Sequence, residues 1–330
     1  MTSLQHQRPR PRPPHLRNTT ASAGAGAANS EILEGVQAST GAQGASDAEA
    51  GAEKDQRPLD VAVEAVIATL PPAMVPAARD SVPGIIQQLI SSDVRNVKQA
   101  AYILATAQHE SGFGREQFSW SEPLVEDHNQ FRAPADPKAK NARWRSTVHT
   151  TGSSVSGTSE ADLQKKYWDN AYGGKLGNEK GTSDAANYRG RGFVQLTGRT
   201  HYENFSKALT EEGFTYELDG VVWGTAENPI DLAAHPDHVN RNRELAARIM
   251  IDGMMEGSFT GSALPEHVND TDTDYYDARS VVNGDKAKNG RSIAGIAETY
   301  ERALAPMWGN LVHPEWALPV SPTGERRGPV

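Results

Sequence analysis

Apolar side chains recur along this chain at helical spacing and almost never in strand-like alternation. Leu59 to Leu70 carries Val61, Val63, Val66, Ile67 and Leu70 on one face. Pro71, Pro72 and Pro76 end that pattern. Gly84 to Ser91 reads as a short helix. The next helix runs from about Val94 to Glu110, with Asp93 as its N-cap and Val97, Ala101, Ile103, Leu104 and Ala107 facing inward. Gly112 supplies its C-terminal break. Further helices are expected over Ala161–Trp168, Arg199–Leu209, Leu245–Gly257, Tyr275–Val282 and Ile293–Leu304, with Leu245–Gly257 strongly amphipathic. The fold class expected is mainly α with minimal β and no internal repeat.

Both ends depart from this pattern. Met1 to Arg17 is rich in Pro, Arg and His and holds no acid. Thr19 to Gln56 is rich in Ala, Gly, Ser and Glu. Such stretches bury too little apolar surface to offset their ordering entropy. Residues 1–57 are therefore expected to be a disordered tail, serving as a docking or loading segment if it has a function. Residues 58–310 form the folded domain, and 311–330 a loose Pro-rich tail. Residues 114–160 are irregular, and a loop of that length is usually functional or mobile.

Charge and composition narrow the function classes. A net charge of -9 argues against a general nucleic-acid binder. The absence of cysteine removes disulfides, thiolate catalysis and zinc-thiolate sites. No apolar run reaches the length of a membrane span, so no membrane insertion is expected. Arg8, Arg10, Arg12 and Arg17 are followed by no apolar h-region, so the start does not read as a secretory signal. The expectation is synthesis in the cytoplasm, with any action at a cell wall needing assisted release or particle delivery.

Two segments carry candidate chemistry. Ala100–Gly114 places Glu110 at the end of an apolar helix, flanked by His109 and Ser111. A carboxyl at the rim of an apolar surface has its charged form disfavoured by desolvation, which suits a general acid. A metalloprotease-type HExxH is excluded, because Phe113 stands where its second His would be. Glycoside hydrolysis needs a second carboxyl group, and Glu116, Glu122 and Glu126 follow in the loop. Spacing alone does not choose between them. In Asn187–Tyr202, Gly190 and Gly192 permit tight turning. No Gly-Lys-Ser/Thr follows, so the segment is not a phosphate loop. If extended, it puts Gln195 and Thr197 on one face, able to line a polar groove.

Together these segments resemble glycoside hydrolase family 19, the plant-type chitinases and, more closely, the phage and bacterial endolysins of that family. The resemblance rests on His109-Glu110-Ser111, Tyr188 to Thr197 and Val282-Asn283-Gly284. Leu176-Gly177-Asn178, Ala247 to Gly261 and Ala278 to Gly284 match the endolysin branch. It covers residues 75 to 306. It implies a lysozyme-like bilobal helical domain with a central substrate cleft. The implied reaction is inverting hydrolysis of β-1,4 bonds between N-acetylated amino sugars, without metal or organic cofactor.

On that resemblance Glu110 is the general acid and Thr197 helps hold the attacking water. His109, Tyr188, Arg191, Gln195, His201 and Asn283 belong to the substrate groove, with His201 standing where relatives carry Asn. Leu124 to Asn129 resembles the loop bearing the second acid, which favours Glu126, with Glu122 as alternative and Glu116 a weaker one. The partner expected is a peptidoglycan strand, or alternatively chitin. A third reading is a non-catalytic glycan-binding component of a phage tail or contractile injection particle.

Overall fold

The structure is a computed structural model that describes residues 58–114 and 160–313. Prolines shape its beginning. Helix α1 (Pro58–Ile67) gives way to a 3-10 turn at Pro72–Met74. Helix α2 (Val75–Ser91) then starts well before Gly84, the start expected from sequence. Pro76 lies in its first turn, where a missing N–H costs nothing, and Pro83 is carried inside the helix. Burial of Ala78, Val82, Ile85, Ile86 and Leu89 outweighs that lost hydrogen bond.

Helix α3 (Val97–Ser111) is capped by Asn96 rather than Asp93. The Asn96 side chain accepts from the Lys98 N–H at 2.8 Å. Asp93 instead has φ 57°, in the reversal that follows α2. Every residue from Gln99 to Ala107 is buried, so α3 is wrapped on all sides rather than along one stripe. Its C-terminus ends as expected, at Gly112 in the left-handed region.

Beyond the undescribed stretch come α4 (Glu160–Tyr172), α5 (Asp184–Asn187) and α6 (Arg199–Glu211). A two-stranded antiparallel hairpin follows, β1 (Tyr216–Leu218) and β2 (Val221–Trp223), pairing Tyr216 with Trp223. Asp219 and Gly220 both have positive φ, as a tight two-residue hairpin turn requires. Then come α7 (His238–Arg241), α8 (Arg243–Glu256), 3-10 turns at Leu264–Glu266 and Asp277–Val281, and α9 (Lys286–Val312). The last helix passes the boundary expected at residue 310. Leu311 and Trp308 are buried, and Trp308 donates its indole N–H to the Arg95 carbonyl at 3.0 Å. The described chain is mostly helical, with this hairpin as its only sheet.

Two apolar clusters hold these elements. One joins α1, α2, α3 and α9 with Phe193 and Val194. The other gathers Tyr188, Leu196, Tyr202, Phe205, Leu209 and Tyr216. Helix α8 belongs to both: Ala246, Met250 and Met254 enter the first, Leu245 and Ile249 the second. The sequence reads α8 as amphipathic; placed between two clusters, it is buried almost all round.

Candidate active site

Glu110 sits in the last turn of α3, and the backbone just after it is unusual. Gly112, Phe113 and Gly114 are all left-handed, with φ 57°, 61° and 80°. For a residue as bulky as Phe113 this conformation costs about 1–3 kcal/mol. Its ring is fully buried, which anchors it. The buried Ser81 hydroxyl donates to the Phe113 carbonyl at 2.8 Å, and Arg243 Nε donates to Ser81 Oγ at 3.1 Å. The turn carrying Glu110 is thus tied to α2 and α8.

The surroundings of Glu110 differ from the apolar wall expected. Arg279 Nη1 donates directly to Glu110 Oε1, and Arg279 Nε donates to Asp285 Oδ1 at 2.6 Å. The Arg279 side chain is 3% exposed, against 17% for Glu110 and 32% for Asp285. One buried guanidinium therefore bridges two partly accessible carboxylates. The Arg279 hydrogen bond holds the Asp285 carboxyl below its ordinary range. Burial lowers the pKa of neighbouring His109.

In the second segment, residues 191–196 close a tight turn rather than an extended stretch. Leu196 N–H donates to the Arg191 carbonyl at 2.7 Å, and Arg191 N–H to Leu196 at 3.2 Å. Gly192 is left-handed with φ 74°, and a Cβ there would stand 3.0 Å from Val239 Cγ1. Gln195 is also left-handed, and its side-chain amide donates to the Gly192 carbonyl at 3.0 Å. Thr197 Oγ1 donates to the Gln195 carbonyl at 2.8 Å. His201 Nδ1 lies 2.7 Å from the Thr197 carbonyl, an acceptor, which assigns the ring proton to Nδ1.

These pieces meet at a cleft of about 620 Å³. Its polar lining is Glu110, Tyr172, Gln195, Thr197, His201, Thr260 and Asn283. Leu176, Val194, Leu196, Phe259 and Val282 supply apolar surface. Glu110, Gln195, Thr197, His201 and Asn283, singled out in three separate stretches of sequence, thus face one space. His109 is half-buried and is not part of the lining.

Tyr188 and Arg191 lie elsewhere than expected. The Tyr188 ring is buried beside Tyr202, and its hydroxyl donates to the Ala233 carbonyl at 3.1 Å. Arg191 is 4% exposed and spends Nη1 on the Asn187 carbonyl at 2.6 Å and on Tyr202 Oη. Both brace the loop from behind. Glu116, Glu122 and Glu126 lie outside the described residues.

Sequence reasoning missed Arg279, Asp285, Tyr172, Phe259 and Thr260 as site residues. Arg279 and Phe259-Thr260 lie inside Ala278–Gly284 and Ala247–Gly261, two of the stretches on which the expected resemblance rests, and that is the signal that could have found them. A second groove, about 730 Å³, lies between residues 273–276 and α9 and shares no lining residue with the cleft. It carries none of the expected chemistry. Among the described residues, no cluster of three or more His, Asp or Glu is placed to hold a metal ion, and no helix is long and apolar enough to cross a membrane. Comparison with known protein families and with curated proteins finds no match for this chain.

Proposed function

We propose that this protein is a glycoside hydrolase of the family 19 type, cleaving β-1,4 bonds between N-acetylated amino sugars of peptidoglycan. The single observation that carries the reading is the convergence of Glu110, Gln195, Thr197, His201 and Asn283 on one cleft. A volume of about 620 Å³ lies within the range of about 300–1,000 Å³ usual for ligand sites. Two apolar clusters, each contributing residues to the cleft lining, support a two-lobed, lysozyme-like arrangement around it.

In this reaction Glu110 gives its proton to the glycosidic oxygen as the bond to the anomeric carbon breaks. A second carboxylate takes a proton from the water that attacks that carbon from the opposite face, so configuration inverts. Glu126 is the favoured base, then Glu122 and Glu116. An inverting pair stands about 6.5–9.5 Å apart. Arg279 also holds Asp285, so its charge stays compensated when Glu110 is protonated. The Thr197 hydroxyl, already donating to Gln195, retains lone pairs to accept from the water.

The protein acts at the cell wall after assisted delivery, and residues 1–57 serve as the docking segment. Their deletion should leave hydrolysis intact while abolishing delivery or particle association; if both persist, the docking role is wrong. The hydrolase reading itself is tested with Glu110→Gln, whose amide keeps the shape but gives up no proton. Turnover should fall by at least about 10²-fold with an unchanged circular dichroism spectrum. Wild-type turnover in that variant would overturn it.

A further inference from the structure

Leu176 lines the cleft under two simultaneous penalties. Its φ is 54°, a left-handed backbone that glycine adopts freely and leucine only at a cost. The residue is 44% exposed, among the largest apolar exposures of the described residues. Glycine would relieve the first penalty and a polar residue the second. The surroundings hold the backbone at Leu176 in that conformation. Thr200 N–H donates to the Leu176 carbonyl at 3.2 Å, and Asn178 Oδ1 accepts from the Arg199 N–H at 3.1 Å. Gly198 lies against Leu176 so closely that a Cβ at 198 would collide with the Leu176 Cβ and carbonyl oxygen. A lone exposed leucine needs no explanation; one held left-handed in the lining of a cleft points to a ligand. Strained residues of this kind concentrate at binding sites.

Resting on the hydrolase reading above, we propose that Leu176 is a specificity-determining residue that receives the methyl of a sugar's N-acetyl group. The cleft offers both chemistries an acetamido group needs. Leu176 and Phe259 supply apolar surface for the methyl, while Gln195 and Asn283 supply amides for its C=O and N–H. An amino sugar without the acetyl group has no methyl for Leu176 to cover and gains nothing from it.

The test uses the full chain carrying Glu110→Gln, so that ligand survives, with and without Leu176→Gly. Dissociation constants are measured by calorimetry for an N-acetylglucosamine hexamer and for its fully de-N-acetylated counterpart. Leu176→Gly suits the left-handed backbone, so the melting temperature should stay within about 3 °C. Affinity for the acetylated hexamer should fall about three- to tenfold, with that for the de-N-acetylated one unchanged. Leu176→Met should restore most of the loss. Unchanged affinity for the acetylated hexamer, or equal weakening of both ligands, would overturn the proposal while leaving the hydrolase reading standing. If Glu110→Gln with Leu176 intact does not bind the acetylated hexamer, this inference falls, while the hydrolase reading stands or falls on turnover of peptidoglycan.

Discussion

Replacing Arg279 with Met removes the charge that bridges Glu110 and Asp285 while filling a similar volume. The Arg279 side chain is 3% exposed, and its guanidinium hydrogen-bonds both carboxylates. Removing one member of a buried ion pair costs about 3–5 kcal/mol, because the charge left behind is uncompensated. Here the orphaned groups are Glu110 and Asp285, 17% and 32% exposed. They can hydrate or take up a proton, so the lower end, about 3 kcal/mol, is expected. For a domain of this size each kcal/mol shifts the midpoint by about 2–4 °C, giving a loss of about 6–12 °C at pH 7. The assay is thermal unfolding followed by circular dichroism across pH.

The sign of the pH dependence follows from Asp285, whose folded pKa lies below its ordinary 3.8 because of Arg279. That stabilisation is complete above the ordinary value and lost as pH falls through the folded one. The gap between wild type and Arg279→Met should therefore be widest at neutral pH and close in acid. A variant melting within about 2 °C of wild type at pH 7 would refute the reasoning. So would a gap that widens on acidification.

Gly198→Ala should destabilise the fold by about 1–3 kcal/mol in urea unfolding, because φ is 92° and the new Cβ meets Leu176; an unchanged midpoint would contradict that packing. His238 is buried against Trp223 and its Nδ1 meets the Tyr216 hydroxyl at 2.7 Å. Burial holds its pKa below 6.5, so the unfolded chain takes up more protons as pH falls through that value, and stability present above it is lost below. His238→Gln should flatten the decline in urea midpoint between about pH 7 and 5; an identical decline in both proteins would remove His238 from the account. Ser81→Ala leaves the Phe113 carbonyl unpaired and should cost about 1–3 kcal/mol, with Ser81→Thr restoring most of it; equal melting of all three proteins would argue against the tie behind Glu110.

The helical class and the end of α3 were legible because periodicity and a glycine in the left-handed region are local signals. The start of α2 was not, because Pro76 and Pro83 count as breakers in sequence while tertiary burial carries the helix through them. Asp93 and Asn96 are both plausible caps, and only the reversal at Asp93 assigns the role to Asn96. The Asp219-Gly220 hairpin had its signal in the turn pair itself. In the site, a motif indicates which residues are held near one another but not which way each points. Hence Gln195 and Thr197 line the cleft while Tyr188 and Arg191, from the same segment, turn inward. The pairing of Arg279 with Glu110 joins residues 169 positions apart and leaves no local trace in the spacing of either segment.

The most direct test of the account is the identity of the products. Wild-type protein and Glu110→Gln are incubated with peptidoglycan sacculi and with chitin oligomers, and the fragments are identified by mass and reducing end. The account predicts muropeptides with a new N-acetylmuramic acid reducing end, formed by the wild type and absent with the variant. Cleavage of chitin alone would contradict the peptidoglycan assignment, and no product from either substrate would contradict hydrolysis altogether.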